Sequence, residues 1–315
     1  MKNYYIGIDL GGTYIKGGIV DKNGNLLILD KTPTEVEKGV MKICENIAEL
    51  SALLIAKAKI NKNDIEGIGM GAPGMIDSKN GVIICSENLY FENFPIADEI
   101  EKLTGFKVKV ANDANVATLG EVKFGAAKDK DNAIMLTLGT GVGGGMVCNG
   151  QLIEGNKGAG AELGHTVIAM NGEPCSCGRK GCAEAYASAT ALIRETKKAM
   201  MIHKDSQMWQ IGEINNVNGK TAFDFAKTDP YAKEVVDSYI YALATTIVNF
   251  ANVFRPEAVI LGGGICAQGK DLTEPLQKTV NAELYGGDLG PLVPVVVASL
   301  GNSAGVLGAA ALIMS

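Results

Sequence analysis

The chain has 315 residues, of which 47% are hydrophobic, and a formal net charge of −6. This composition is typical of a globular protein of two domains and excludes a largely disordered chain. The acidic balance, without any basic run in the sequence, argues against binding to nucleic acid or to an anionic membrane. No apolar run is long enough to cross a bilayer.

The chain starts with a strand pattern instead of a signal-peptide core, so we expect a cytoplasmic protein in a reducing environment. Four isolated cysteines are expected to be buried thiols: Cys44, Cys85, Cys148 and Cys266. The chain has 2 histidines, His165 and His203. If His165 binds a metal, a Ser-His-Asp triad could use only His203, which argues against that class of hydrolase.

In the first part of the chain, a β-hairpin precedes alternating strands and helices. The glycine turn Gly11-Gly12-Thr13 separates two apolar runs and predicts the hairpin. Residues 40–57 carry apolar side chains at helical spacing. The predicted strands cover residues 4–10, 14–20, 26–29, 65–70, 82–85 and 108–111, and the predicted helices cover residues 40–57, 95–103 and 115–124.

The second part of the chain repeats the opening design. A strand at residues 133–138 meets a glycine-rich turn at residues 139–145, and a new strand follows at residues 146–148. Asp229-Pro230 is a strong helix start, with an N-cap acid before proline at the first helical position. Further strands are predicted at residues 259–261 and 293–298, helices at residues 188–201, 230–254 and 305–314, and a loop with short elements at residues 203–220.

Residues 162–184 contain the most specific pattern, E-L-G-H followed by C-S-C-G-R-K-G-C-A-E. Three thiols and one imidazole form a complete tetrahedral set for zinc with no position left for water, which is typical of a structural site. The alternative is three small core thiols beside an unrelated histidine. The predicted ligands are His165, Cys175, Cys177 and Cys182.

Two glutamates bracket these ligands. Glu162 precedes His165 by three residues, and Glu184 follows Cys182 by two. A metal bound between them would hold both carboxylates in fixed positions, and paired acidic groups suit a polyhydroxylated ligand. The alternative is that both are solvated surface residues.

Both glycine turns carry a threonine and are able to bind anions. Exposed backbone N–H groups in tight turns form anion-binding concavities, and threonine adds a hydroxyl donor. Residues 139–144 match G-x-G-x-x-G, but a dinucleotide fingerprint must open a helix, and here a strand follows. The P-loop pattern is absent from the sequence as well. Two such turns facing each other could bind a triphosphate, although such turns also simply connect strands.

Asp113 is the best candidate for a catalytic group. It lies at the carboxyl end of a predicted strand, where ligands bind in open α/β sheets. A carboxylate there can accept the proton of a sugar hydroxyl during phosphoryl transfer, worth about 10²–10⁴ in rate. The alternative is that Asp113 caps the following helix. Asp9, at the first glycine turn, is a candidate for contacting Mg²⁺, and its alternative is a turn-stabilising contact.

Together these motifs resemble the ROK family of repressors, open reading frames and kinases, within the actin-like ATPase and sugar kinase superfold. The resemblance covers essentially the whole chain, and the E-x-G-H and C-x-C-G-x-x-G-C-x-E pair is its most specific part. One departure is Ala161, where many relatives have glycine, and we expect the role of Glu162 to be unaffected. The matching segments are residues 9–13, 112–113, 138–145, 162–165, 175–184 and 262–264.

The resemblance implies an α/β protein with the actin-like ATPase or sugar kinase fold, which is ribonuclease H-like, and two domains around a central cleft. The first domain would cover residues 1–118, with residues 302–315 returning to it. The second would cover residues 119–301 and contain the zinc motif. We also expect a homodimer or homotetramer.

The resemblance also implies a site for ATP with Mg²⁺. The two glycine turns would contact the phosphates from opposite sides, and a third glycine segment would approach the adenosine. The residues implied are Asp9, Gly11, Gly12, Thr13, Thr140, Gly141, Gly263 and Gly264.

A hexose site is implied as well, with Asp113 as the general base. His165 would bind zinc through one ring nitrogen and a sugar hydroxyl through the other. Asn88 is a further candidate, whose alternative is a loop amide bonded to its own backbone. The other residues implied are Asn112, Asp113, Glu162, His165 and Glu184.

The expected activity is therefore ATP-dependent phosphorylation of a hexose, with D-glucose and its 6-hydroxyl as the first choice. N-acetylglucosamine, N-acetylmannosamine, fructose and allose are alternatives, because sugar choice depends on the pocket around residues 71–74, Asn88 and Glu184. Another class is a sugar-responsive repressor lacking its DNA-binding domain. Such relatives carry a helix-turn-helix domain before the first glycine turn, and here only eight residues precede Asp9.

Overall fold

The computed structural model of the protein describes residues 3–314, in which strands and helices alternate. The strands are β1 (Tyr4–Leu10), β2 (Tyr14–Asp21), β3 (Leu26–Pro33), β4 (Ile65–Ala72), β5 (Met75–Asp77), β6 (Val82–Ser86), β7 (Phe91–Phe94), β8 (Lys107–Asn112), β9 (Ala133–Leu138), β10 (Val142–Cys148), β11 (Gln151–Leu152), β12 (Ala258–Gly262) and β13 (Val295–Val297). The α-helices are α1 (Val40–Ala58), α2 (Ile96–Thr104), α3 (Asp113–Phe124), α4 (Glu184–Ala187), α5 (Ala189–Ile202), α6 (Thr221–Phe225), α7 (Pro230–Phe254), α8 (Lys270–Glu283) and α9 (Ala304–Met314).

The predicted hairpin, the strands of both sheets and the long helices are present, and the differences lie at element ends and in short elements. α3 begins at Asp113, before the predicted residue 115, because the Asn112 side chain accepts hydrogen bonds from the backbone of Ala114 and Asn115. β10 begins at Val142, so the second glycine turn is shorter than predicted. The sequence patterns also missed β5, β7, β11, α4, α6 and α8.

Contacts divide the chain into two compact units. The first contains the residues up to Asp131, Gly145–Ala161 and the residues from Ser299 onward, and the second contains Asn132–Gly144 and Glu162–Ala298. Residues 119–131, 145–161 and 299–301 thus belong to the first unit, whereas the sequence analysis assigned them to the second domain.

The main sheet of the first unit has the strand order β3-β2-β1-β4-β8. β1, β2 and β3 form an antiparallel meander, and β4 and β8 continue the sheet parallel to β1. Asp9 pairs with Gly71, and Ala72 pairs with Asn112. The carboxyl ends of the three parallel strands therefore meet at one edge, where ligands bind in α/β sheets.

The last helix, α9, packs on this sheet and on α3 at backbone distance. An added Cβ would lie 1.7 Å from the Ala309 oxygen at Gly69 and 1.8 Å from the Val116 oxygen at Gly308. Glycine is required at both positions because only a residue without Cβ permits such close approach. This packing confirms the prediction of a small-residue helix at the end of the chain.

The second sheet has the order β11-β10-β9-β12-β13, which repeats the order of the first. β12 lies parallel to β9 and β13, and the unit boundary falls within β10. α7 begins as predicted, with the Asp229 side chain accepting from Tyr231 and Ala232 and with Pro230 in the first turn. Among residues 3–314, no helix combines the length and apolar character that a membrane span requires.

Two of the four isolated cysteines are buried as predicted, and two are not. The prediction is right for Cys44 and Cys266, and burial raises the pKa of these thiols to about 12 and about 11. It is wrong for Cys85, which is exposed, and Cys148 is only half-buried. Burial along β6 does not alternate strictly, because Ile83 and Ser86 are buried while Cys85, two residues after Ile83, is exposed.

Candidate active site and zinc centre

The four predicted metal ligands lie together in the second unit. The ligand atoms of His165, Cys175, Cys177 and Cys182 are all within 4.8 Å of one another. Zinc bonds of about 2.3 Å to sulfur and about 2.0–2.1 Å to nitrogen, at tetrahedral angles, require separations of about 3.8 Å between sulfurs and about 3.6 Å between sulfur and nitrogen. The Cys177 and Cys182 sulfurs are 3.7 Å apart, and the Cys175 sulfur is 3.6 Å from His165 Nδ1. The donor set therefore fits zinc.

Backbone turns form this donor set locally. Isolated bridges pair Val167 with Cys182 and Pro174 with Lys180, which brings the two ends of the cysteine segment together. Gly181 has a φ of +79°, and an added Cβ there would lie 1.7 Å from the Ala169 oxygen. Only glycine fits such a position, so the glycine before the last cysteine is explained by the turn.

The thiols differ in how readily they ionise. The backbone N–H of Arg179 lowers the pKa of Cys177, whereas burial raises the pKa of Cys182 to about 12. Zinc binds thiolates, so metal binding must release the Cys182 proton, and the affinity for the metal falls as the pH falls.

Glu184 begins α4 and connects the cysteine segment to the second glycine turn. Its Oε1 accepts from the Ser176 hydroxyl at 2.7 Å, and its Oε2 accepts from the backbone N–H of Val142 at 3.1 Å. Burial acts to raise the pKa of Glu184, but these hydrogen bonds and the charge of His165 outweigh it, and the pKa is lowered. Glu184 is thus a carboxylate held ionised beside the glycine turn.

His165 ends a short 3-10 turn, Leu163–His165, and Glu162 is the residue directly before that turn, after the strained Ala161. Glu162 is exposed, and the His165 carbonyl accepts from the Arg179 guanidinium at 3.1 Å. Ala161 has a φ of +60°, a left-handed conformation that costs a non-glycine residue roughly 1–2 kcal/mol. This backbone conformation gives a physical reason for glycine at that position in relatives.

In the first unit, Asn112 and Asp113 lie where β8 meets α3. Asn112 uses its oxygen to cap α3 and donates its amide to the Gly74 oxygen at 3.1 Å, which ties it to the turn after β4. Asp113 Oδ1 accepts from the Ala114 backbone at 2.8 Å. The Asp113 side chain is accessible, yet surrounding protein and, less strongly, the charge of Asp9 raise its pKa. A carboxylate that is accessible and easier to protonate than usual suits a general base.

The first glycine turn is open to a ligand. Asp9 and Lys16 face each other across the hairpin, with Oδ2 and Nζ 3.4 Å apart. Gly12 and Thr13 are exposed, and an added Cβ at Gly12 would meet no described atom within 4 Å. Packing does not explain this glycine, so close approach of a ligand to the backbone is a suitable reason for it.

The glycines of the second unit fall into two classes. Gly263 has a φ of +98°, and an added Cβ would lie 2.2 Å from the Leu138 oxygen, so the fold requires glycine there. At Gly264 an added Cβ would meet no described atom within 4 Å. In the turn itself, Thr140 is exposed and Gly139 N–H donates to the Gly141 oxygen at 3.0 Å.

The predicted site residues are distributed over both units. Those in the first unit are Asp9, Gly11, Gly12, Thr13, Asn88, Asn112 and Asp113. Those in the second are Thr140, Gly141, Glu162, His165, Cys175, Cys177, Cys182, Glu184, Gly263 and Gly264. Asn88 is exposed on a short 3-10 turn, Glu87–Leu89, of the first unit.

Sequence reasoning missed two polar partners of these residues. Lys16 could have been found, because the hairpin register set by the first glycine turn places it opposite Asp9. Ser176 carried no signal, since the middle residue of a C-x-C pair can point anywhere. Its bond to Glu184 becomes visible only in three dimensions.

Comparison with known proteins places the chain in a family. The model of the ROK family matches residues 5–315. The chain is 39% identical to a glucokinase of Thermotoga maritima, over 98% of this chain and 96% of that protein. A solved structure of a ROK family glucokinase from Streptomyces griseus in complex with glucose and AMPPNP is 33% identical, with a TM-score of 0.76 and 98% of each chain covered.

A second solved structure, a ROK hexokinase from Thermus thermophilus, is 33% identical with a TM-score of 0.82, and 98% of this chain and 96% of that chain are covered. These neighbours confirm the predicted α/β fold of the actin-like ATPase and sugar kinase type. The chain belongs to the ROK family.

Proposed function

We propose that this protein is an ATP-dependent hexose kinase that converts D-glucose to glucose 6-phosphate. The observation that carries the proposal is the 39% identity to the Thermotoga maritima glucokinase over nearly the whole of both chains. The accessible Asp113 carboxylate at the sheet edge and the fit of the four-ligand set to zinc support the same activity.

Asp113 is the general base of the proposed reaction. Its carboxylate accepts the proton of the sugar 6-hydroxyl as that oxygen bonds to the γ-phosphorus of ATP. The bond between the γ-phosphorus and the β–γ bridging oxygen breaks, and ADP leaves with the electron pair. The raised pKa of Asp113 makes it a stronger base than an ordinary aspartate.

The remaining sugar-binding residues orient the hexose so that one hydroxyl reaches Asp113. Carboxylates accept hydrogen bonds from sugar hydroxyls, and an amide both donates and accepts. His165 presents Nδ1 to the cysteine sulfurs, which leaves Nε2 for a hydroxyl. The proposed set is Asn88, Asn112, Glu162, His165 and Glu184.

The glycine turns bind the nucleotide in this proposal. Backbone N–H groups and the hydroxyls of Thr13 and Thr140 donate to phosphate oxygens, while Gly263 and Gly264 allow close approach of the adenosine. Asp9 contacts Mg²⁺ directly or through water. Magnesium bound with ATP neutralises charge that develops on the phosphates during transfer. The other residues of this set are Gly11, Gly12 and Gly141.

Zinc has a structural role in the proposal. His165, Cys175, Cys177 and Cys182 would hold it, and four protein ligands leave no place for a reacting water. The bound metal would thereby fix the backbone that carries His165 and Glu184 beside the sugar. We further propose that the protein is a homodimer or homotetramer and that it is cytoplasmic. Size-exclusion chromatography with light scattering would test the oligomeric state by measuring the molar mass.

A coupled assay of ADP formation tests the activity. Purified protein is given ATP, Mg²⁺ and, one at a time, glucose, fructose, allose, N-acetylglucosamine and N-acetylmannosamine. We expect glucose to give the highest kcat/KM. A higher kcat/KM for an N-acetyl sugar would identify an N-acetylhexosamine as the preferred substrate. If no sugar stimulates ADP formation, the proposal that the protein is a sugar kinase is contradicted. Protein carrying Asp113→Asn and purified in the same way controls for a contaminating host kinase.

A further inference from the structure

Glu184 occupies a backbone donor at the very turn that is proposed to bind ATP phosphates. Its Oε2 lies 3.1 Å from the Val142 nitrogen, which directly follows the Gly139-Thr140-Gly141 turn. An added Cβ at Gly141 would lie 2.2 Å from the same oxygen, so the carboxylate rests against the turn. A carboxylate oxygen and a phosphate oxygen are alike in charge and in what they accept, and both cannot take one N–H group.

The other carboxylate oxygen faces the cysteine segment. Oε1 accepts from the Ser176 hydroxyl at 2.7 Å and lies 3.6 Å from the Cys175 sulfur. Thr140, Gly141, Ser176 and Glu184 line a cavity of about 330 Å³, together with the start of α5. A ligand in this cavity can therefore reach both Glu184 and the turn, and all of these groups belong to the second unit.

We propose that Glu184 acts as an internal substitute for a nucleotide phosphate in the sugar-free protein, and that the hexose removes it. When hexose hydroxyls bind the carboxylate, Glu184 leaves the Val142 N–H group, which becomes available to a phosphate oxygen of ATP. The anionic side chain also moves away from the position of the incoming anion. Hexose binding thus strengthens nucleotide binding, and without hexose the nucleotide is opposed by Glu184.

This inference rests on the proposed function for the roles of the turn and of Glu184, and it adds a coupling between them. Couplings between ligand sites typically change affinity by about 5–150-fold, and they are reciprocal. A protein that binds ATP poorly before its sugar also limits wasteful hydrolysis of ATP.

The test is a calorimetric titration with Mg²⁺ and AMPPNP, with and without saturating hexose. In the wild-type protein, the hexose should lower the nucleotide Kd at least about fivefold. Glu184→Gln removes the charge, so without hexose it should bind AMPPNP at least about fivefold more tightly than the wild type, and hexose should add little. Glu234→Gln, which removes an exposed carboxylate on α7, should behave as the wild type.

If Glu184 merely supports the turn, Glu184→Gln and Glu184→Ala will bind AMPPNP as well as the wild type or more weakly, and the inference is overturned. Zinc content shows that the variants are intact. A check without any variant follows the amide proton resonance of Val142 by NMR in valine-labelled protein. This resonance should move upfield when hexose alone is added, because the amide loses its hydrogen bond to Glu184. An unchanged resonance would argue against release of the Val142 N–H group by Glu184. The nucleotide titration without sugar does not depend on which sugar is phosphorylated. If no hexose is phosphorylated but Glu184→Gln still binds AMPPNP more tightly than the wild type, the proposed function is contradicted and the inference about Glu184 is not.

Discussion

At the scale of single residues, the site depends on carboxylates in different environments. Desolvation by the surrounding protein raises the pKa of the accessible Asp113 carboxyl, whereas hydrogen bonds from Ser176 and the Val142 backbone outweigh desolvation and lower the pKa of Glu184. The two groups therefore suit different tasks, one accepting a proton and the other staying charged. The sequence motifs around Asp113 and Glu184 indicate that both are functional residues. Only their contacts in the structure show that the pKa of one is raised and the pKa of the other is lowered.

Replacing Asp113 with asparagine should abolish most of the activity. The side chain keeps its size but no longer accepts a proton, so kcat should fall at least about a hundredfold. Glucose affinity by calorimetry and zinc content should change little, because asparagine keeps the hydrogen-bonding shape of the side chain and Asp113 is not one of the proposed zinc ligands, which all belong to the second unit. Turnover within tenfold of the wild type would remove Asp113 as the base.

The pH profile should report the raised pKa of Asp113. The base must be ionised, so kcat/KM should fall about tenfold per pH unit below the pKa, and desolvation by the surrounding protein raises that pKa above its ordinary value of 3.8. Asp9→Asn should shift the acid limb to lower pH, since the Asp9 charge contributes to the raised pKa. A limb at or below pH 3.8, in protein shown to be folded by circular dichroism, would be inconsistent with this assignment.

At the scale of elements, most of the candidate site residues lie in or beside short turns, whereas the long strands and helices form the sheets and the layers packed on them. The zinc motif was predicted from spacing alone, because ligands within a few residues of one another need only local turns to converge. The link from Glu184 to Val142 spans 42 residues, and spacing gives no indication of it. β5, β7 and β11 were missed because two to four residues cannot establish a period.

Cys177→Ala should release the metal and loosen the sugar site. Metal analysis of the wild-type protein should find about one zinc per chain, and the variant should lose most of it. Its melting temperature should fall and its glucose KM should rise together, because the proposed zinc would hold His165 in place. Cys85→Ala, at an exposed isolated cysteine, should match the wild type. A variant with lowered stability but an unchanged glucose KM would show that the metal site does not support sugar binding.

At the scale of the whole molecule, the chain leaves the first unit and returns to it twice. The return of residues 145–161 was not predicted, because no change in composition marks it. The final return is fixed by Glu121, which is fully buried in α3. Its carboxylate accepts from the backbone of Ala126 at 2.8 Å, Ser299 at 3.0 Å and Leu300 at 2.8 Å.

Glu121→Ala should therefore destabilise the protein strongly. Removing the buried carboxylate leaves part-buried backbone donors without their partners, so we expect a loss of about 1–3 kcal/mol in urea unfolding. Glu121→Gln keeps one acceptor oxygen and should lose less. Glu234→Ala at an exposed position on α7 should change stability by less than about 0.5 kcal/mol. Equal stability of Glu121→Ala and the wild type would refute the structural role of Glu121.

The sequence by itself predicted most of the long elements, the family and a four-residue donor set suited to zinc, because each depends on short-range periodicity or spacing. It also indicated Asp113, since a strand end before a helix start is a local signal. Only the tertiary structure decided what surrounds these residues: the partners of Glu184, the raised pKa of Asp113 and the return of residues 145–161 to the first unit. The physical reason is that burial and hydrogen-bond geometry arise from residues far apart in the chain.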